Sequence, residues 1–337
     1  MSGIQVAVGG AALVLAIAVV IAIANGGGSG TTTSSARTPR RSLSAVRRSL
    51  PAPIRLAYRR LYSLAAPVQD PASAQLGAGR FALLGGIDAA DSSTAGVVVA
   101  DRRGQVGTGS LPGAQHDAQA ATLSGTVYVF GGGEFTQYDH ILSFDPATGS
   151  THQVGALPAP ASDVAVTESG GTAFVVGGFD GTNWLSTIVA WRPGLTGRVV
   201  AHLPVPLRYS AVTAVDGKVL IIGGSTPTGA SDAVYRFDPK TAGVQQIGRL
   251  PRPLTHAGAA PLGARAYLVG GRGDKLDTLT GGVWAIDPVT GTVRPAGRLP
   301  QPLSDAGVLS LGDAIIVAGG HAATGTEATV GELVPAG

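Results

Sequence analysis

A pair of glycines closes a short apolar run six times in this chain, at almost constant spacing. The runs are FALLGG at Gly85-Gly86, VYVFGG at Gly131-Gly132, AFVVGG at Gly177-Gly178, VLIIGG at Gly223-Gly224, AYLVGG at Gly270-Gly271 and AIIVAGG at Gly319-Gly320, in steps of 46, 46, 46, 47 and 49 residues. Leu-Pro recurs in parallel at Leu111, Leu157, Leu203, Leu250 and Leu299, in steps of 46, 46, 47 and 49. Two markers that keep one period identify a structural repeat. A third marker follows the glycines: FDPATG from Phe144, FDPKTAG from Phe237 and IDPVTG from Ile286, with WRPGLTG at Trp191 and ADRRGQ at Ala100 as variants. Asp-Pro-x-Thr-Gly is turn chemistry, because proline presets φ, aspartate caps the turn and glycine takes positive φ.

Each unit therefore reads as four short antiparallel strands. The first follows Leu-Pro, the second ends in the glycine pair, the third runs into Asp-Pro, and the fourth leads to the next Leu-Pro. Four such strands every 46 residues or so make a propeller blade. One blade cannot bury both of its faces, so blades stack around an axis. The last unit has a third strand near 327–334 and then the chain ends, without a fourth. Residues 54–64 precede the first unit and are expected to supply the missing strand, closing the ring. Proximity of backbones at the glycine pairs explains why no side chain stands there.

On these residues the chain resembles the kelch repeat over about residues 66–337. The resemblance implies an all-β, six-bladed kelch-type propeller. It departs from the family pattern after the glycines. Tyr235 fits the usual tyrosine of one blade, but Gly243 and Val244 stand near the tryptophan position, and Trp184, Trp191 and Trp284 occupy no common blade position.

Upstream of the repeat, residues 4–24 carry no charge over 21 positions, long enough at about 1.5 Å per residue to span the roughly 30 Å of bilayer hydrocarbon. An uncleaved transmembrane helix is expected over residues 1–25; a cleavable signal would want a basic start and a shorter apolar run. Residues 26–53 read as a flexible basic linker and 54–337 as the propeller. Residues 1–60 hold eight arginines and no acid, so the pI near 9.4 reflects a flank facing anionic lipid rather than nucleic acid. The basic flank argues for a cytoplasmic propeller by the positive-inside rule. Arg37 is 13 residues beyond Ala24, however, and long domains translocate with little regard to charge, so charge leaves the side open; the habit of the family that the chain resembles makes a single-pass plasma-membrane protein with an extracytoplasmic propeller the expectation, with a cytoplasmic propeller as the alternative. The chain has no cysteine, which removes disulfides, thiolate metal sites and the cysteine-modified tyrosine of copper oxidases of the galactose oxidase kind.

In a four-strand meander the residues after each Leu-Pro and after each glycine pair share one face, with the Asp-Pro turns on the other. Fourteen residues before the first glycine of each pair stand Pro71, Asp117, Asp163, Tyr209, His256 and Asp305. They begin the innermost strands, at one mouth of the central channel. Flanking them are Asp70, His116, Ser162, Arg208, Thr255 and Ser304, and after the glycine pairs come Asp88, Glu134, Asp180, Asp274 and His321. The candidate ligand-binding residues are His116, Asp117, Asp163, Arg208, Tyr209, His256 and Asp305. A repeated polar position also arises simply because every blade needs the same turn. The asymmetric members Arg208, Tyr209, His116 and His256 are not required by the repeat. No phosphate loop, metal-ligand spacing or cofactor motif is present, and Arg272-Gly273-Asp274 reads as a chance tripeptide.

Two functions follow. One is a monomeric, non-catalytic binding module that presents its mouth-face loops to a protein or a glycan. The other is a carbohydrate-active enzyme similar to kelch-type sialic acid mutarotases, with mouth carboxylates and Arg208 as acid, base and anion clamp. The sequence shows no compact acid/base pair, which favours the first.

Overall fold

The computed structural model describes residues 52–336. They form six four-stranded antiparallel sheets, each a meander from an inner to an outer strand. Blade 1 comprises Ala72–Leu76, Arg80–Leu84, Thr94–Ala100 and Gln105–Gln115. Blade 2 comprises Gln119–Leu123, Thr126–Phe130, His140–Asp145 and Ser150–Ala156, and blade 3 Ala165–Ser169, Thr172–Val176, Thr187–Trp191 and Arg198–His202. Blade 4 comprises Ala211–Val215, Lys218–Ile222, Ala233–Asp238 and Gly243–Arg249, and blade 5 Gly258–Leu262, Arg265–Val269, Gly282–Ile286 and Val293–Arg298. Blade 6 takes Gly307–Leu311, Ala314–Ala318 and Thr329–Pro335 from the end of the chain, and Leu56–Ser63 from its beginning. Small hairpins (Ser225–Thr226 with Gly229–Ala230, and His321–Ala322 with Gly325–Thr326) decorate blades 4 and 6.

The closing strand is the one the sequence placed at 54–64. Leu56 pairs with Pro335 and Ser63 with Thr329, antiparallel, with a bulge between Arg60 and Tyr62. Leu56 packs into an apolar cluster with Leu299, Ile315 and Leu333, between blades 5 and 6. Leu64 packs with Phe81, Leu83, Ile316 and Val330, between blades 6 and 1. Four further clusters fill the remaining interfaces. The core of this protein is thus a set of interblade layers, which is why no blade is stable alone.

The second strands show why the runs before the glycine pairs are apolar throughout: Thr172–Val176 and Ala314–Ala318 are buried at every position. Their ends face the third strands in volume-matched pairs. Phe144 lies opposite Val127, Trp191 opposite Ala173 and Ile286 opposite Ala266, whereas in blade 1 small Ala100 lies opposite large Phe81. Close packing holds the sum of volumes, not the identity at either site. Trp191 thus stands where blades 2, 4 and 5 carry Phe144, Phe237 and Ile286. The glycine pairs adopt positive φ, and a Cβ on Gly85 would sit 2.6 Å from the Gln115 carbonyl oxygen. At the opposite end, the turn aspartates act as expected. Asp145 accepts from the Ala147 amide at 2.8 Å and Asp287 from the Val289 and Thr290 amides at 2.9 Å.

The expected transmembrane helix and basic linker lie outside the described residues. Among the described residues no helix is long and apolar enough to cross a membrane.

Candidate functional site

Isolated bridges join His116 to Gly133, Ser162 to Phe179, Arg208 to Ser225, Thr255 to Arg272 and Ser304 to His321. Within each blade, then, the residue before the innermost strand meets the residue after the glycine pair, and both lie at the same mouth of the channel. The next residue of each blade is left-handed: Asp70, Asp117, Asp163, Tyr209, His256 and Asp305 all have φ between 51° and 57°. Asp70, not Pro71, is the blade 1 member. The inner hairpin of blade 1 turns through Gly77, Ala78 and Gly79, whereas the others turn through two residues. Counting 14 residues back from the glycines therefore falls one short.

Five of these six residues bond through their amides to the neighbouring blade. Tyr209 donates to the Asp163 carbonyl at 3.1 Å, His256 to Tyr209 at 3.2 Å, Asp305 to His256 at 3.0 Å and Asp70 to Asp305 at 2.6 Å. The Asp117 amide donates instead to the Asp70 carboxylate at 2.8 Å. The repeated position is thus structural, a lacing of blades around the channel. Aspartate tolerates this conformation readily, but tyrosine does so at a cost of order 1–3 kcal/mol.

The side chains add an asymmetric constellation. The Arg208 guanidinium pairs with Asp163, whose side chain is 1% exposed. Arg208 also lies over the rings of Phe179 and Trp184, at 4.7 and 4.9 Å from their centroids. It donates to the Tyr209 hydroxyl at 3.4 Å, which donates to Asp117 at 3.3 Å. The Tyr209 and His256 rings stack with centroids 3.8 Å apart. His256 Nε2 lies 3.0 Å from an Arg272 nitrogen, and arginine can only donate. His256 is therefore neutral, with its proton on Nδ1 donated to the Thr255 hydroxyl at 3.0 Å. Burial, aided by Arg272 and Arg208, holds the His256 pKa well below the usual histidine value. His116 sits between the Ser93 hydroxyl at 2.9 Å and Asp117 at 3.5 Å. Together Asp70, Asp117, Asp163, Tyr209, His256 and Asp305 line a cavity of about 110 Å³ in the channel.

This mouth retains protons. Burial and the neighbouring Asp117 carboxylate raise Asp163 to about 7 despite Arg208. Burial raises Asp305 to about 6, opposed by the Ser304 hydroxyl and Arg272. Asp70 is pushed well up by burial and by Asp117. An acid whose folded pKa exceeds its unfolded value near 3.8 binds more protons in the native state between the two values. Its contribution is full below about 4 and is lost as pH rises toward about 7. Replacing Asp163 by Asn removes that dependence. The stability of the native protein relative to Asp163→Asn, measured by denaturant unfolding, is expected to fall between pH values of about 4 and 7; a rise over that window would mean that the Arg208 ion pair dominates instead.

Other mouth carboxylates serve their own loops. Asp88 accepts from the Ala90 amide at 2.8 Å and Asp180 from the Thr182 amide at 2.8 Å. Asp274 accepts from the Ala230 amide at 2.5 Å, so the Arg-Gly-Asp tripeptide is occupied internally, with Arg272 directed at His256. Sequence reasoning nominated His116, Asp117, Asp163, Arg208, Tyr209, His256 and Asp305, and the structure brings all seven to one mouth. It placed Asp70 only among the flanking residues, with Pro71 in the register, and did not take Phe179, Trp184 or Arg272 as members. The three-residue turn at 77–79 was the available signal for Asp70. Among the described residues no cluster of three or more His, Asp or Glu has a geometry that could hold a metal ion.

The wheel and its mouth define a β-propeller with a polar, partly enclosed channel entrance. The Kelch motif profile matches residues 206–242, which run from the Arg208 connection through the third strand of blade 4. A solved structure titled "Structure of YjhT" has a TM-score of 0.69 at 16% identity, covering 81% of this chain and 95% of that one. No curated protein matches the chain. The chain is thus a six-bladed β-propeller with a Kelch motif in blade 4.

Proposed function

We propose that this chain is a membrane-anchored binding module whose mouth face docks a protein partner outside the cytoplasm. Kelch propellers commonly bind proteins, and the observation that carries the reading is Phe135. It stands 92% exposed on the mouth-face loop of blade 2, and Leu276, on the corresponding loop of blade 5, is 60% exposed. An exposed aromatic side chain is of the kind enriched at the core of protein interfaces. The uncharged run at 4–24, long enough by sequence to span a bilayer, supports display at a membrane.

The absence of cysteine makes the test clean. Phe135→Cys and Val289→Cys place one thiol on the mouth loop and one on the opposite, Asp-Pro face, where Val289 is 62% exposed. In intact cells, an impermeant maleimide should label both, and a bifunctional cross-linker should capture a partner from position 135 but not from 289. Labelling only after lysis would refute the extracytoplasmic display, and capture solely from 289 would refute the docking face.

A second reading is a carbohydrate-active enzyme at the mouth, favoured by one observation, the Asp163 carboxyl held near neutral pKa beside Arg208. Anomerisation of a sugar acid that disappears in Arg208→Ala would promote it. Absence of turnover with retained partner capture leaves the binding module.

A further inference from the structure

The interblade grooves beneath the Leu-Pro connections should be alike by pseudo-symmetry, yet two of them differ greatly in size. In blade 3 the groove is a cavity of about 80 Å³, lined by Leu157, Pro158, Ala161, Leu185, Val189 and Val199 among others. The equivalent groove of blade 6 encloses about 460 Å³, within the range of small-molecule sites.

The linings correspond residue by residue. Leu157, Pro158 and Ala161 become Leu299, Pro300 and Leu303, and Val175 becomes Val317. Three positions then diverge. Leu185, whose backbone amide bonds Gly178, becomes Glu327, whose amide bonds Gly320 in the same way. Val189 becomes Gly331, and its cross-strand partner Val199 becomes Arg60, which pairs with Gly331. Three branched apolar side chains have left the groove, and one cation and one anion have arrived. Tyr58 lies across Gly331, where any Cβ would collide with its hydroxyl. The apolar floor is intact: Leu299, Leu303 and Val317 are all buried.

The polar groups of this groove are under-used. Arg60 makes one side-chain hydrogen bond, to the Ser63 hydroxyl at 2.8 Å. Glu327 accepts long bonds from the Thr324 and Thr329 hydroxyls, at 3.4 and 3.3 Å. Among the described residues no ion pair joins Arg60 to Glu327, and no hydrogen bond engages the Tyr58 hydroxyl. Yet both charges act on the same phenol, which burial raises, Arg60 lowers and Glu327 raises further.

We propose that the groove between blades 5 and 6 binds a small zwitterion with an apolar body, of the class of a free leucine or phenylalanine. Arg60 takes the carboxylate, Glu327 the ammonium, and Leu299, Leu303, Val317 and the Tyr58 ring enclose the side chain. A ligand with only one charge leaves the other group of the pair desolvated without a partner, which penalises simple fatty acids and amines. Because ring closure supplies Arg60 and Tyr58, the site exists in this blade and has no equivalent in blade 3.

The test is calorimetric titration of the purified full-length chain with L-leucine and L-phenylalanine at millimolar concentration. The single-charge controls are 4-methylpentanoate and isoamylamine. Saturable binding of an amino acid is expected, weakened about tenfold or more in each of Arg60→Gln and Glu327→Gln and for each control. Glu327→Leu restores the residue found in blade 3 and should refill the groove, abolishing binding while the melting temperature is kept or raised. No binding to the native protein, equal binding by either control, or retention of affinity in either Gln variant would overturn the proposal. Arg60 is exposed, so its replacement leaves folding intact and an effect on affinity reports the site itself.

Discussion

Deleting residues 50–66 is expected to abolish cooperative unfolding. The deletion removes the whole outer strand of blade 6, and with it Leu56 and Leu64, each only 5% exposed and each in a different interblade cluster. Burying two such side chains contributes about 1.5–3 kcal/mol each. The loss also opens the edge of Thr329–Pro335, whose backbone groups now pair along the strand. Against a total stability of about 5–15 kcal/mol, these losses together consume most of the margin. Deletion also breaks the circle, so blades 6 and 1 no longer restrain each other. The expected calorimetric trace is broad and shallow. An unchanged, sharp transition would show that the ring holds without its closing strand.

Replacing Arg59 and Arg102 together by alanine is expected to destabilise the wheel by about 3–5 kcal/mol. Both converge on Glu332, whose side chain is 0% exposed. Arg59 reaches it from the closing strand, with Nε at 2.7 Å, and Arg102 from the third-to-fourth strand turn of blade 1, with Nε at 3.0 Å. One buried carboxylate therefore ties blade 6 to its own closing strand and to blade 1. Stripped of both partners, it becomes an uncompensated buried charge. Glu332→Leu removes the charge itself and leaves two arginines that are 64% and 38% exposed and hydrate readily. It should cost much less than the double alanine change, because replacing a buried charge by an apolar group of similar size is often near neutral. Denaturant unfolding of the three proteins decides: equal losses would mean that the carboxylate is stabilised by something other than these arginines.

Much of the architecture was readable because the repeat forces the same local solution six times. The glycine pair, the Asp-Pro turn and the apolar second strand each answer a need that recurs in every blade, so they survive where other positions drift. Ring closure was readable because a missing fourth strand must be supplied from somewhere. What escaped was whatever depends on exchange between positions. The Phe81–Ala100 pair of blade 1 reverses the order of blades 2 to 5, which place the large residue on the third strand. Asp70 was placed beside the register, with Pro71 in it, because one extra residue in a hairpin displaced the count. The mouth residues could be nominated from their register. The pairing of Arg208 with Asp163 and the stacking of Tyr209 on His256 are contacts between blades, set by the curvature of the wheel and invisible within one repeat. The enlarged groove of blade 6 is similar: Glu327 and Gly331 look unremarkable until the N-terminal strand brings Arg60 and Tyr58 to them.

Closure of the wheel can be read directly by engineered cross-linking in this cysteine-free chain. Ala57 faces Val334 across the closing seam. Ala57→Cys with Val334→Cys should form an intramolecular disulfide on mild oxidation and raise the melting temperature, whereas Ala57→Cys with Ala147→Cys, on the turn of blade 2, should not cross-link. Absence of the first disulfide, or its formation only between separate chains, would contradict a ring closed by its own N-terminal strand.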